Sequence, residues 1–472
     1  MKIQFLSILL ISVSTAFSQG ESNNWYFGEN AGLNFSTSTP TVLNDGQTFC
    51  REGVAVASDS AGSLLFYSDG VSVWNKNHNT MPNGTGLNGH VSSTQSAIIV
   101  KQPGANSKWY IFTTPDKDAS SVGFRYSIID MSLDNGNGAV VAGSKNVLID
   151  NNTAEKVCYI QSNKDTLWII HHQWNNNTFK AYLLTAQGIQ SPVVSNVGGI
   201  VGGNIANSVG YLKASPSGNR IAMCVMDYTY DNPSNKRVEV FNFSKSTGQI
   251  SSPLVLQSPA VSSNGAGYYG VEFSPNESYL YVSHIIPGAV YQYNLSLPTP
   301  LQIENSRLQL LYDENIYYGA LQLAPNGKIY VAKEYQTTLD VINQPDVLGS
   351  GCDYQINGQS LGINQSRLGL PVFPYQRKPQ NSSVENIEST LQIMLFPNPS
   401  SGVLFVSAGQ FETNNIKIQV VDINGKILIE QMVFKNENEI FPIDVSELAQ
   451  GCYFLKINNE NIFQKNFRFI KQ

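Results

Sequence analysis

The side chains best equipped to hold another molecule fall in short clusters: Arg51-Glu52, His171-His172-Gln173-Trp174, Asp227-Tyr228-Thr229-Tyr230-Asp231, Tyr268-Tyr269, His284, Tyr317-Tyr318 and Tyr335. Aromatic rings stack on sugars or clasp peptides while their polar tips take hydrogen bonds, so this set speaks for binding. Catalytic signatures are missing: there is no nucleophile elbow, HExxH, phosphate loop or dinucleotide fingerprint. His171 and His172 point to opposite faces of any regular strand and cannot clamp one ion between them. Asp134-Asn135-Gly136-Asn137-Gly138 is spaced like the start of a calcium loop but lacks the later bidentate Glu, so it reads as a turn. The five cysteines, Cys50, Cys158, Cys224, Cys352 and Cys452, form no CxxC pair and have no His at zinc-site spacing. No metal or cofactor site is therefore expected; the odd count leaves at least one thiol unpaired, and Cys50 with Cys352 is the pairing that meeting domain ends would allow.

These clusters make a site only if the elements between them bring them to one side. Helical periodicity is nearly absent, whereas short runs of alternating Val, Ile, Tyr and Phe recur between Asn, Gly, Pro and Ser clusters, an all-β pattern. The runs repeat as strand, tight turn, strand. Leu212-Lys213-Ala214-Ser215-Pro216-Ser217-Gly218 leads into Ile221-Ala222-Met223, Val271-Glu272-Phe273-Ser274-Pro275-Asn276 into Tyr279-Leu280-Tyr281-Val282, and Leu321-Gln322-Leu323-Ala324-Pro325-Asn326-Gly327 into Ile329-Tyr330-Val331-Ala332. Weaker copies bring the number to six; the equivalent positions Leu64, Tyr110, Leu167, Ile221, Leu280 and Ile329 are 46, 57, 54, 59 and 49 residues apart. Four-stranded units at this period predict propeller blades, because one blade cannot bury both faces alone. Trp25-Tyr26-Phe27-Gly28 with Gly32-Leu33-Asn34-Phe35 at one end, and Leu368-Gly369-Leu370-Pro371-Val372-Phe373 at the other, are halves of a seventh blade that would close the ring and leave no edge strand unpaired. The expected fold is a seven-bladed β-propeller of the WD-repeat or YVTN-like kind over residues 19–376, a linker over 377–390 and a small C-terminal β-sandwich over 391–472. With strands lettered A to D outward, the B–C and D–A connections share one face. Arg51, Glu52, His171, Trp174, Tyr228, Tyr230, Tyr268, Tyr269, His284, Tyr317 and Tyr318 are the rim residues expected there.

Composition and the chain start point to export. Met1-Lys2 precedes an apolar run over residues 5–13 (FLSILLISV), and Ala16-Phe17-Ser18 offers a cleavage site, so residues 1–18 read as a signal peptide. No later segment is apolar enough to span a membrane. Charged residues are 14% of the chain, against about 25% in an average globular protein. The balance of 29 basic to 35 acidic residues, without a basic stripe, speaks against nucleic acid as a partner.

Two resemblances refine this reading. Asn24-Trp25-Tyr26-Phe27-Gly28, Ala31-Gly32-Leu33-Asn34-Phe35, Leu65-Phe66-Tyr67-Ser68-Asp69-Gly70, Met81-Pro82-Asn83-Gly84 and Ser93-Thr94-Gln95-Ser96-Ala97-Ile98 together resemble secreted propeller proteins of gliding bacteria that use the type IX secretion system. The tail segments Phe396-Pro397-Asn398-Pro399-Ser400-Ser401-Gly402, Val421-Asp422-Ile423-Asn424-Gly425-Lys426 and Leu448-Ala449-Gln450-Gly451-Cys452-Tyr453-Phe454 resemble the type A C-terminal sorting domain of that system. Each alone is turn chemistry; in this order, near the chain end, they imply recognition by the outer-membrane exporter of a Gram-negative cell and display at the surface or release. The residues carrying that resemblance are Pro397, Asn398, Pro399, Gly402, Asp422, Gly425, Lys426, Leu448, Gly451 and Tyr453. Cys452 and the final Gln472 after Lys471 depart from the pattern, which bears on tail removal more than on export. The function expected is a non-catalytic binding module for glycan or protein; the alternatives are a secreted hydrolase or lyase on a propeller scaffold, or a structural part of a surface or motility assembly. Fold does not choose among them.

Overall fold

A computed structural model of the chain describes residues 20–116, 122–163, 165–227, 236–258, 266–373, 393–396, 399–408, 415–422, 426–434, 440–459 and 463–472. The expected signal peptide and linker, with Tyr228, Tyr230, Pro397, Asn398 and Gly425, lie outside these residues. The chain divides into two compact units, Met1–Pro379 and Gln380–Gln472.

The first unit is a β-propeller built from seven consecutive antiparallel sheets. They are β1 (Asn24–Phe27), β2 (Ala31–Asn34) and β3 (Thr41–Leu43); β4 (Ala55–Ser58), β5 (Leu64–Ser68), β6 (Ser72–Asn75) and β7 (Thr80–Thr85); β8 (Ala97–Lys101), β9 (Lys108–Thr113) and β10 (Phe124–Asp130), which carries both β11 (Ala139–Val140) and β12 (Val147–Asp150). The fourth sheet holds β13 (Val157–Asn163), β14 (Thr166–His172) and β15 (Asn176–Thr185), with β16 (Gly188–Ile189) and β17 (Val193–Val201) paired to β15. The last three are β18 (Leu212–Ala214) to β21 (Ile250–Gln257) through β19 (Arg220–Val225) and β20 (Arg237–Phe243); β22 (Tyr268–Phe273), β23 (Tyr279–His284), β24 (Gly288–Asn294) and β25 (Leu308–Asp313); and β26 (Tyr318–Leu323), β27 (Ile329–Lys333), β28 (Thr338–Ile342) and β29 (Tyr354–Ser360). The six positions equivalent in sequence all fall on second strands: β5, β9, β14, β19, β23 and β27.

The repeat is written in the turns. Gly218, Glu277 and Gly327 donate their N–H to the carbonyls of Ser215, Ser274 and Ala324 at 2.8–2.9 Å, with left-handed φ of 70°, 61° and 79°. A proline follows the accepting residue each time, fixing the φ that starts the turn. The hairpins so formed bury apolar faces against their neighbours. One cluster joins Ile170, Phe179 and Ile221 between the fourth and fifth sheets, another Ile111, Phe66 and Ala97 between the second and third, and a third Tyr281, Leu321 and Val331 between the sixth and seventh.

First strands contact one another in sequence, β4 with β8, β8 with β13, β13 with β18, β18 with β22 and β22 with β26, and so line the central axis. The first sheet has no such strand of its own. Residues 365–373 take the place instead: Glu29 N–H donates to the Gln365 carbonyl at 2.9 Å, Leu368 N–H to that of Arg51 at 2.8 Å, and Ala320 N–H to that of Leu368 at 2.7 Å. Phe373 stacks on Trp25 with ring centroids 6.3 Å apart. The strand expected over Leu368 to Phe373 is thus an extended segment without a regular ladder, because its hydrogen bonds go to the flanking sheets. The chain start supplies β3, a strand that was not expected. All five cysteines are free, Cys50 and Cys352 included.

The second unit contains a three-stranded sheet, β30 (Ile393–Phe396), β31 (Val403–Ala408) and β34 (Ile440–Asp444), and a four-stranded sheet in the order β33 (Ile427–Phe434), β32 (Asn415–Val421), β35 (Gly451–Asn459), β36 (Phe463–Lys471). Leu404, Val406 and Ile443 of the first sheet share one apolar cluster with Ile418, Val420, Leu455 and Phe469 of the second.

Candidate functional site

The channel has two different ends. At the D–A end, where the first strands begin, successive backbones touch. A Cβ on Gly53 would stand 2.1 Å from Ser96 N, one on Gly270 2.4 Å from Gly319 O, one on Gly319 2.2 Å from Leu368 O, and one on Gly369 1.8 Å from Glu52 O. Only glycine permits such an approach. Each opens an apolar run (Gly53-Val54, Gly270-Val271, Gly319-Ala320, Gly369-Leu370), a repeated signal that strand patterns alone pass over.

Side chains seal this throat. Thr94 donates from N and Oγ1 to Glu155 Oε2 at 2.8 and 2.9 Å. Gln95 reaches the fifth sheet, accepting from Leu212 N at 2.8 Å and donating to its carbonyl at 3.0 Å. Tyr211 and Tyr269 meet edge to face at 5.6 Å, and the Tyr211 hydroxyl accepts from Leu370 N at 3.4 Å, across the axis. Lys156 Nζ donates to the carbonyls of Val209, Gly210 and Cys224 at 2.7–2.9 Å. Burial pulls that ammonium down to about 7, against three acceptors that favour the charged form. Burial, reinforced by the nearby Glu155 carboxylate, pushes the Glu52 carboxyl well above its ordinary range, with Arg51 pulling the other way. Glu52 Oε2 and the Tyr269 hydroxyl are buried without hydrogen-bond partners. Glu155 and Tyr211 are throat residues that sequence reasoning missed, because nothing local marks a residue that faces an axis.

Outside the throat, Arg51 Nε pairs with Glu334 Oε1 at 2.8 Å, Arg367 Nη2 with the same oxygen at 3.2 Å, and Arg367 Nη1 with Glu29 Oε1 at 2.5 Å. The Arg367 guanidinium lies 3.9 Å from the centroid of the Tyr335 ring. Glu29 bridges to both Phe49 and Gln365, which sets Phe49 beside this chain of charges, with Ile363 two residues before Gln365. Phe49, Tyr335 and Ile363 are 69, 57 and 87% exposed.

Most of the expected rim residues that the structure describes are buried. His171 is fully buried between the rings of Phe124 and Tyr182, its Nε2 3.4 Å from Asp150 Oδ2. Burial would raise the Asp150 carboxyl, but hydrogen bonds from His171 and Lys180 outweigh it and hold it below the usual carboxylate range. His284 Nδ1 must donate to the Pro287 carbonyl, 2.8 Å away, and burial lowers the ring to about 4. Trp174 packs in the cluster between the fourth and fifth sheets. The Tyr268 hydroxyl meets that of Tyr293, and Tyr318 donates to Asp340 Oδ2 at 3.2 Å; both rings are buried. Glu52 and Tyr269 lie in the throat, Tyr317 is half-buried against the central core, and Arg51 is exposed. Strand-end position, read from sequence, does not say which way a ring turns. Among the described residues no group of three or more His, Cys, Asp or Glu is placed to hold a metal.

At the opposite, A–B end, the channel opens into a cavity of about 310 Å³, lined by the ends of β4, β8, β13 and β26, by Phe373 and by Glu21-Ser22.

In the tail, Asp422 closes the turn between β32 and β33, accepting from Lys426 N at 2.9 Å while its own N–H donates to the Lys426 carbonyl at 3.0 Å. Val445 N–H donates to the Gly402 carbonyl at 2.8 Å, and Leu448 N–H to that of Val445 at 3.1 Å. Tyr453 donates to the Ala449 carbonyl at 2.8 Å and stacks on Phe469; Gly451 opens β35, and Pro399 is exposed.

Residues 394–472 match the secretion system C-terminal sorting domain family. No curated protein matches the chain. Among solved structures it is similar to Kuenenia stuttgartiensis hydrazine synthase (10% identity, 92% of this chain and 100% of that one, TM-score 0.41). It is also similar to the Pseudomonas aeruginosa periplasmic gluconolactonase PpgL (12%, 89% and 98%, TM-score 0.37) and to the β-propeller domain of Myceliophteria thermophila Cps50 (10%, 68% and 95%, TM-score 0.38). At such identities the activities of those proteins do not transfer. Among the described residues no helix is long and apolar enough to cross a membrane. The chain is a β-propeller protein that ends in a type IX secretion system C-terminal sorting domain, which addresses it to the cell surface or the medium.

Proposed function

We propose that the exported propeller is a non-catalytic binding module that docks a protein partner at the cell surface through the D–A rim around Arg51 and Tyr335. In this reading residues 1–18 are removed as a signal peptide, the ring has seven blades with the last assembled from both ends, and the unit after the linker serves export. The observation that carries it is the exposure of Phe49, Tyr335 and Ile363 beside the ion chain Arg51, Glu334, Arg367 and Glu29. Aromatic and Arg side chains dominate binding hot spots, and here the Arg367 guanidinium stacks on the exposed Tyr335 ring. The residues come from connections between strands, where binding residues concentrate.

The test is binding of the labelled chain from residue 19 onward to intact host cells. Phe49→Ser, Tyr335→Ala and Ile363→Ser together should weaken binding more than about tenfold, since one hot spot is worth at least that. Protease treatment of the cells should abolish binding and periodate should not. Unchanged binding by the triple variant, or loss to periodate alone, refutes the reading.

A further inference from the structure

We infer that the A–B mouth of the channel is a second, separate ligand site that takes one pyranose ring of a glycan. Its size restricts the ligand first. About 310 Å³ lies at the small end of the roughly 300–1,000 Å³ range of small-molecule sites, enough for one sugar ring or a compact amino acid and too little for a nucleotide or a lipid chain.

The lining then selects among compact ligands. Ile99, Leu167, Leu323 and Phe373 supply apolar lining, and Phe373, stacked on Trp25, is partly exposed. The polar lining includes Tyr159, Gln161, Glu21 and Lys101. Gln161 donates its amide N–H to the carbonyls of Asn163 and Thr166, which leaves its amide oxygen as the acceptor for another group. The Tyr159 phenol is pushed up by burial and by nearby Glu21, so it stays a neutral donor. Lys101 Nζ sits 6.0 Å from the centroid of the Trp109 ring, tethered at the edge. These four supply two acceptors and two donors beside apolar lining. A pyranose presents that complement, an apolar C–H face edged by hydroxyls that both give and take hydrogen bonds. A single Lys with no backbone N–H nest does not make a phosphate site, and a carboxylate ligand would face Glu21.

Because the Gly and Tyr throat closes the other end of the channel, a sugar here is reached only from the A–B side, where a glycan terminus or an exposed ring can enter. The site does not rest on the protein-docking rim.

The experiment is saturation-transfer NMR and titration calorimetry of the full exported chain with free hexoses and N-acetylhexosamines at millimolar concentration. At least one should bind. Tyr159→Phe removes one hydroxyl, and Gln161→Ala removes an acceptor together with its bonds to the Asn163 and Thr166 carbonyls; each should weaken binding about tenfold, the equivalent of one well-made hydrogen bond. The variant carrying Phe49→Ser, Tyr335→Ala and Ile363→Ser should bind the sugar as the wild type does, so failure of the rim reading leaves this result distinct. Absence of saturation transfer from every sugar class, or equal affinity in the Tyr159→Phe/Gln161→Ala double variant, overturns the assignment.

Discussion

Replacing Gly369 by Ala tests whether residues 365–373 are wedged into the ring. The added Cβ would stand 1.8 Å from Glu52 O and 2.3 Å from Glu52 C, both backbone atoms. An ordinary contact of 3.4 Å requires the two chains to part by about 1.6 Å (3.4 − 1.8). On the other side, Gly319 already brings the seventh sheet to the limit against Leu368 O, so the segment cannot move away. Overpacking of this kind costs roughly 1–3 kcal/mol. Separation also stretches the bonds from Leu368 N to Arg51 O and from Ala320 N to Leu368 O, each worth about 1 kcal/mol. The sum is about 3–5 kcal/mol. At an unfolding entropy near 2.1 cal/mol/K per residue, a propeller of about 350 residues loses ~4–7 °C of Tm. Gly143→Ala is the control: nothing lies within 4 Å of its Cβ, and its φ is not left-handed, so its effect should stay within about 0.5 kcal/mol. Calorimetry of the three proteins at two scan rates measures the difference. If Gly369→Ala melts with Gly143→Ala, the segment is not held between its neighbours and ring closure from both chain ends is wrong.

Glu52→Gln should stabilise the fold, and by an amount that grows with pH. The native carboxyl is pushed up by burial and by Glu155, so its contribution is present below the unfolded pKa near 4.3 and is lost as pH rises toward the folded value. The gap between variant and wild type should therefore open above about pH 4 with a slope of up to ~1.4 kcal/mol per pH unit, and a gap independent of pH in denaturant titrations refutes the assignment. Ending the chain near Gln376 should leave a folded propeller that crosses the inner membrane and stops in the periplasm, whereas residues 377–472 behind a signal-bearing reporter should carry the reporter to the surface or medium; fractionation and protease shaving read both, and surface display of the truncated chain sinks the idea.

The second strands were legible because their information is local. Alternating apolar runs ending in Ser-Pro-Ser-Gly, Ser-Pro-Asn-Glu and Ala-Pro-Asn-Gly specify a hairpin without reference to the rest of the chain, and the turns at Ser215, Ser274 and Ala324 form the same hydrogen bond. The tail is legible for the same reason: Asp422 and Lys426 close their turn by contacts four residues apart. Side-chain direction at strand ends was not legible. In a blade flanked on both faces, residues pointing either way are covered, so His171 and His172, on opposite faces of β14, are both fully buried. Alternation then no longer separates inside from outside. The exposed apolar residues of the rim, Phe49 and Ile363, lie in connections where no period operates. Leu368 to Phe373 fail as a predicted strand because the backbone partners of Leu368, Arg51 and Ala320, come from two distant parts of the chain.

Closure of the throat decides how the two proposed surfaces relate. Gln95, Tyr211 and Tyr269 are all but wholly buried at the D–A end, and backbones touch there at Gly53, Gly270, Gly319 and Gly369. A ligand in the A–B cavity therefore cannot pass to the rim or displace a partner bound on it. Any coupling has to run along the first strands themselves, which join the two ends directly: Glu52 and Val56, or Gln95 and Ile99, are a few residues apart on one strand path. Those strands are pinned at the throat by the Lys156 and Gln95 hydrogen bonds to neighbouring backbones, so a shift at one end would have to break buried bonds before it reached the other. The two surfaces should thus act independently, which allows a single exported ring to hold a protein on one side and a sugar on the other.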